Sequence, residues 1–292
     1  MEIIIQILVD GIVLGGVMSL AAAGFSLIFG VMNVVNLAHG AMVIIGAYLG
    51  YISLSLLKID PLLAIPVVMA IMFLFGYGIQ RTIIHWAVKR ATLVASLLVT
   101  FGLALVLRNL MDLIFSPDVR SVSPSYAFQH FGIGFLSIDV VRLVGLAASL
   151  CMLIFLSILL NKTHFGRQIR ATAQQPLAAE VCGINISHVY GLTFGLGAAF
   201  AGAAGIIVGI VMPFAPHSEG LWTLNAFVVV VLGGVGSPGG AMLGGLLLGL
   251  IKTFTAHFIG PAFTNAMMFL ILVLMLVLRP QGLLGNVFGE SR

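Results

Sequence analysis

Asn33, Asn36 and His39 interrupt the stretch IFGVMNVVNLAHGAM, and Gly40 follows them, inside a long region that holds little other polarity. At i, i+3 and i+6 the two amides share one helix face and the imidazole lies close to it. At membrane depth such groups cost several kcal/mol unless they find partners, so they must face a bundle interior, another helix or a wet cavity. The chemistry on offer is hydrogen bonding to a solute in transit. Asn33, Asn36, His39 and Gly40 are therefore the candidate lining of a translocation path, with interhelical hydrogen-bond glue or an interfacial turn as the alternative.

A second pattern, FGRQIRATAQQPLAAEVCGINI, is suited to docking. Pro176 and Gly183 bracket a segment as a helix requires, proline at its first position and glycine just past its end, which predicts a short helix Pro176–Cys182. Leu177, Ala178, Ala179 and Val181 are too apolar for a solvated loop of that length, so the helix is expected to dock in a groove on another protein or on this one. Arg167 and Arg170, three apart, flank it and are placed to pair with acidic groups there. The competing reading is an amphipathic helix lying on the membrane with its arginines near lipid phosphates.

The run VLGGVGSPGGAMLGG matches GxGxxG at Gly234, Gly236 and Gly239, but no strand–helix–strand unit surrounds it, Pro238 stands within it and no acidic residue follows at the required distance. Gly234, Gly236, Gly240, Gly244 and Gly245 are instead assigned to a tight turn and to close helix packing. Arg108 and Asp112, four apart, are expected to neutralise each other, Lys252 and His257 lie toward the outer part of one helix, and Asp10 has no evident partner. No HExxH, GxSxG or GxxxxGK[ST] pattern occurs, the histidines are scattered and only two cysteines are present. The sequence therefore gives no catalytic residue and no metal site, and any ATP hydrolysis belongs to another chain.

The elements that position these residues follow from composition. Of 292 residues, 61% are hydrophobic and 8% charged, with a net charge of +4 and a mean hydropathy of +1.20. Ordinary soluble domains carry about 25% charged residues, so a soluble enzyme is excluded. Cations sit in a few short loops without interleaved aromatics, which argues against nucleic acid as a partner. Spans of about 20 apolar residues fall at roughly 3–29, 41–57, 62–84, 93–115, 140–160, 189–212, 221–232, 241–258 and 262–278. The expected fold is an all-α polytopic transmembrane bundle of about 8–10 spans, some short or broken, in a single domain over 1–292 with a cytoplasmic segment at about 161–187. Lys162, Arg167 and Arg170 place that segment inside by the positive-inside rule; the turn with Arg81, Lys89 and Arg90 and the tail with Arg279 and Arg292 then also face the cytoplasm, and the N-terminus faces out. Gly40-Ala41-Met42 and Gly240-Ala241-Met242 hint at an internal repeat.

The stretches GFSLIFGVMNVVNLAHGAMVIIGAYLG, GRQIRATAQQPLAAEVCGINI, FGLGAAFAGAAGIIVG, VVLGGVGSPGGAMLGGLLLGL and RPQGLLG, in that order, resemble the LivH-type permease subunit of bacterial branched-chain amino acid ABC importers. The resemblance spans nearly the whole chain. It implies an inner-membrane subunit that pairs with a second, similar permease, two cytoplasmic ABC ATPase subunits carrying ATP and magnesium, and a periplasmic solute-binding protein, with no cofactor on this chain. It makes the region from Gly166 to Gly183 the ATPase-coupling segment, with Gly166, Arg167, Arg170, Ala171, Gln174, Pro176, Ala179, Glu180 and Gly183 as its candidate residues. The family often has Asp where Gln175 stands, and an Asp cap would stabilise the helix by about 0.5–2 kcal/mol over a non-capping residue. Alternating access is the implied mechanism, with small residues such as Gly195, Gly197, Gly202 and Gly205 permitting helix sliding. Relatives serve branched-chain or other neutral amino acids, and also urea or short amides. An ATP-independent carrier or channel is the rival from another class, and the docking helix is not explained by it.

Overall fold

Each apolar run becomes one helix. The computed structural model describes residues 2–86, 93–127, 129–133, 136–279 and 281–284. In chain order these form α1 (Glu2–Met32), α2 (His39–Ser55), α3 (Pro61–Ile79) continued by a π-helical turn (Gln80–Ile84), α4 (Leu93–Phe115), the strands β1 (His130–Ile133) and β2 (Leu136–Asp139), α5 (Val140–Lys162), α6 (His164–Gln174), α7 (Pro176–Val181), α8 (Ile186–Val211), α9 (Glu219–Gly233), α10 (Pro238–Phe258) and α11 (Thr264–Leu278). Lys89, Arg90 and Arg292, which entered the orientation argument, lie outside the described residues.

Among the described residues seven helices are long and apolar enough to cross a membrane: α1, α3 with its π turn, α4, α5, α8, α10, and α11 with the 3-10 turn before it. With 17 and 15 residues, α2 and α9 are short. At about 1.5 Å per residue neither reaches the ~30 Å of a hydrocarbon core. The sequence signals for helix starts are realised locally. Asp60 accepts from the Leu62 amide at 2.8 Å ahead of Pro61, Asn185 from His188 at 3.0 Å, and Ser237 from Gly240 at 3.1 Å ahead of Pro238.

The centre of the bundle is α8, whose stretch Gly197–Gly209 is buried without interruption and is built mostly of glycine and alanine. Small side chains let helix backbones approach closely where lipid tails offer no hydrophobic drive, and α1, α2 and α3 all pack on this helix. A second layer forms where α10 lies along α1 and supports α9 and α11, with Met18, Phe25, Val229, Leu248 and Met268 at its core. Outward, α11 exposes Leu270, Val273, Leu274 and Val277, and α4 exposes Val94, Leu98 and Phe101, as lipid-facing surfaces require.

At the bundle end where α5 begins, the segment after α4 is fixed to the α8–α9 connection. Arg120 and Phe214 exchange both backbone hydrogen bonds at 2.8 Å, and the Val122 amide donates to Gly209 O at 2.8 Å. The Arg120 guanidinium lies over the Tyr51 ring, 5.0 Å from its centroid. Nearby, the Tyr126 hydroxyl donates to the Asp60 carboxylate at 3.1 Å. Burial, and then the charge and hydrogen bond of Asp60, push the Tyr126 phenol above its ordinary value of 10.0. The folded protein holds this proton more tightly than the unfolded chain, so the pair's contribution to stability is complete below the ordinary phenol range and is lost as pH rises above it. Thermal unfolding of the detergent-solubilised protein at rising alkaline pH should therefore fall more steeply for the wild type than for Tyr126→Phe.

Candidate functional site

The polar break at 33–38 joins α1 to α2 and is not one helix face. Asn33 takes φ +52°, in the left-handed region that asparagine tolerates better than most residues, and this ends α1. The break turns Asn33 outward, while Asn36 and His39 are wholly buried. Their partners are structural. The Asn36 carbonyl oxygen accepts from the Ala38 amide at 3.1 Å, and His39 Nε2 meets Ala21 O at 2.6 Å with the Phe25 ring edge-on. The Gly40 amide donates to Thr223 Oγ1 at 2.9 Å, and a side chain at Gly40 would run into α9. His39 and Gly40 thus tie α2 to α1 and α9, while Asn36 closes the turn ahead of α2.

The docking motif folds as its punctuation dictates. α6 is capped by Thr163 Oγ1, which accepts from the Gly166 amide at 3.0 Å. Gly166 is buried so close to the Leu159 and Leu160 carbonyls that a Cβ would overlap them. Gln175 is extended and makes no side-chain cap, so α7 starts on Pro176 alone. Its end is a Schellman motif: Gly183, at φ +85°, donates to Glu180 O at 2.9 Å, and Ile184 donates to Ala179 O at 3.0 Å. The segment expected as Pro176–Cys182 is helical to Val181, with Cys182 as its C-cap.

Two residues of this segment depart from the docking expectation. Ala179 is only 4% exposed, turned into the chain itself, whereas Leu177 and Val181 stand 79% and 89% exposed. The Arg170 guanidinium turns back to Leu160 O and to Asn161 Oδ1, so it anchors α6 to the end of α5. Arg167 is exposed and bonds His164 Nδ1 at 2.5 Å. Gln174 and Glu180 are exposed and Ala171 half-buried. A further polar link ties this end of the bundle together, since Arg81 donates to Tyr77 Oη at 3.2 Å and to Ser187 Oγ at 3.1 Å.

The glycine motif forms the turn between α9 and α10. Gly234 and Gly236 have φ of +99° and +82°, and the Gly236 amide donates to Ser26 Oγ at 3.0 Å. Gly244 packs against the α9 backbone and Gly240 against Gly233. Gly245 meets Ser19 of α1, whose hydroxyl also reaches Met242 O at 3.1 Å. The two Gly-Ala-Met triplets each lie in the first turn of a helix, α2 and α10.

A charged cavity that sequence reasoning did not assemble lies at the opposite end of the bundle from α6 and α7. It measures about 310 Å3 and is lined by Asp10, Val13, Leu14, Arg142, Val211, Met212, Lys252, Thr253, Ala256 and Thr264. Arg142 Nε pairs with Asp139 Oδ2 at 2.9 Å, and its Nη1 reaches Asp10 at 3.5 Å. Asp10 also accepts from Gln6 at 3.2 Å. Lys252 Nζ donates to Asn225 Oδ1 at 2.7 Å. Asp10, which had no evident partner, thus has Arg142, and Arg142 itself was overlooked although it stands three residues after Asp139 at the head of an apolar run. Arg108 and Asp112 form no ion pair; Arg108 instead lies near enough to Glu219 for its charge to act on that carboxyl.

A polytopic helical bundle with short inner helices, a capped short helix at one end and a charged cavity at the other is the architecture of a multi-pass membrane protein. Residues 7–278 match the family model described as "Branched-chain amino acid transport system / permease component". The chain is 29% identical to the high-affinity branched-chain amino acid transport system permease protein BraD of Pseudomonas aeruginosa, with 97% of this chain and 96% of the relative covered. It is 30% identical to LivH of Escherichia coli over the same shares, and 26% identical to LivM of Salmonella typhimurium over 89% of this chain and 66% of that protein. The chain belongs to the branched-chain amino acid transport permease family, and is a multi-pass membrane protein.

Proposed function

We propose that this chain is the permease subunit of an ATP-binding cassette importer that carries branched-chain or other neutral amino acids across the bacterial inner membrane. It works by alternating access, driven by two separate cytoplasmic ATPase subunits and supplied by a periplasmic solute-binding protein. A second permease, the same or similar, completes the pore; the similarity to both LivH and LivM supports such pairing. The N-terminus faces the periplasm and α6–α7 the cytoplasm, as the cations of the α5–α8 connection require.

The observation that carries this reading is α7. A six-residue helix holds two large aliphatic side chains, Leu177 and Val181, exposed while its ends are fixed by Pro176 and the Schellman turn. Such exposure is unfavourable unless a partner covers it, and a partner that grips a rigid helix can transmit force through it. When the ATPases close, α7 moves with them and the helices joined to it, α5 through α6 and α8 through residues 182–185, tilt in consequence.

The test is co-purification. The native chain, solubilised from its own membrane, is expected to bring down a nucleotide-binding ATPase and to support ATP-dependent uptake of leucine. Leu177→Glu with Val181→Glu is expected to leave thermal unfolding unchanged and to lose both. A stable chain that moves leucine in liposomes with no ATPase would replace this reading with an ATP-independent carrier.

A further inference from the structure

We infer that the cavity between α1, α5, α10 and α11 is a binding site for a small zwitterion, with Asp10 receiving the ammonium and Lys252 the anionic oxygens. Three spanning helices each bring a charged side chain to one place where apolar residues would be less costly: Asp10 two to three turns into α1, Arg142 in the first turn of α5 and Lys252 two turns before the end of α10. Ionisable groups within spans are rare because each is expensive to desolvate, and their convergence on a cavity marks a ligand site rather than chance.

The charges select the ligand. Arg142 is neutralised at 2.9 Å by Asp139 outside the cavity lining, and its contact with Asp10 is long at 3.5 Å. Lys252 is held by a neutral amide, Asn225, and no carboxylate pairs with it among the described residues. With Arg142 and Asp139 cancelling, Asp10, which is held by the neutral Gln6 at 3.2 Å and only loosely by Arg142, and Lys252 put one net negative and one net positive charge at the same cavity. A simple anion would be repelled by Asp10 and a simple cation by Lys252 and Arg142; a molecule bearing both charges satisfies the pair. The rest of the wall is mostly apolar, with Val13, Leu14, Val211, Met212 and Ala256 beside Thr253 and Thr264, and suits an aliphatic substituent. About 310 Å3 lies at the small end of ligand pockets, which run from ~300 to ~1,000 Å3.

Two sources carry this chemistry, a free neutral α-amino acid and the headgroup of phosphatidylethanolamine. The free amino acid rests on the permease reading above; the lipid does not. The experiment uses the full chain in detergent and in nanodiscs of phosphatidylglycerol, with labelled leucine as probe and native mass spectrometry for retained lipid. Leucine is expected to bind the wild type, with N-acetyl-leucine and leucinamide, each lacking one charge, failing to compete. Asp10→Asn and Lys252→Met should each weaken binding at least tenfold. Ala256→Leu, which fills the cavity and leaves every charge in place, should do the same even if a charge variant fails to fold. Retention of phosphatidylethanolamine by the wild type, lost in these variants while leucine fails to bind, would support the site with lipid as its occupant. Folded variants that bind leucine and retain lipid as the wild type does would overturn the proposal. Because no ATPase enters this assay, the site can fail while α7 still co-purifies with its partner, and the reverse.

Discussion

Replacing Gly245 with valine is expected to abolish recovery of a monodisperse protein. A Cβ at this position would stand 2.6 and 2.7 Å from the amide nitrogen and Cα of Ser19, where no side-chain rotation can relieve the overlap. Overpacking a core against movable side chains costs about 1–3 kcal/mol; here the obstacle is backbone, and the remedy is to push α10 off α1 along the most extensive helix pair in the fold. Gly102 and Gly78 have nothing within 4 Å of a Cβ, so alanine there should be tolerated and should raise helix stability by roughly 0.5–1 kcal/mol each. Size-exclusion profiles and thermal unfolding of the three variants would check the contrast. A folded Gly245→Val protein would mean that α1 and α10 are not held at this distance.

The second large effect separates packing from docking within one short helix. Ala179→Glu puts a carboxylate at a position 4% exposed, with no cation shown to meet it, whereas Val181→Glu puts the same group at a position 89% exposed. An unpaired buried charge costs several kcal/mol, so Ala179→Glu should release α7 from the bundle and open the region around Pro176 to proteolysis. Val181→Glu should leave the proteolytic pattern unchanged. Equal cleavage of the two variants would show that Ala179 is not packed.

Legibility in the sequence followed the range of the forces involved. Apolar runs define helices through local composition, and the nine runs appear as helices at nearly their expected positions because desolvating a backbone in lipid leaves no other option. Pro176 and Gly183 act within their own turn, so α7 and its cap were readable. The break after α1 was not. Counting i, i+3 and i+6 from Asn33 assumed an unbroken helix, and the left-handed residue Asn33 ends it. Asn36 folds back on the Ala38 amide two residues on, whereas the partner of His39, Ala21 on a neighbouring helix, lies outside any local pattern. The same limit hid the cavity: Asp10, Arg142 and Lys252 are over a hundred residues apart in sequence and meet only once α1, α5 and α10 are packed. Which face of α7 is covered likewise needed tertiary structure: of the apolar residues expected on its exposed face, Leu177 and Val181 stay exposed and Ala179 turns inward.

The pairing of Arg120 with Phe214 bears on how the two ends of the molecule communicate. α8 is an uninterrupted rod of 26 residues, about 39 Å long. One end is joined to α7 through the Schellman turn, and the other is stitched at Gly209, just before the helix ends, to the loop beyond α4. Its glycine and alanine surface presents few bulky knobs to arrest translation against α1, α2 and α3. Under the importer reading this makes α8 a push-rod: a displacement received at Leu177 and Val181 reaches the far end of the bundle as motion of the 116–127 loop. A cross-link between Val122 and Gly209 should leave that stroke free, because the two already move together, whereas one between α8 and α1 should jam it without touching α7.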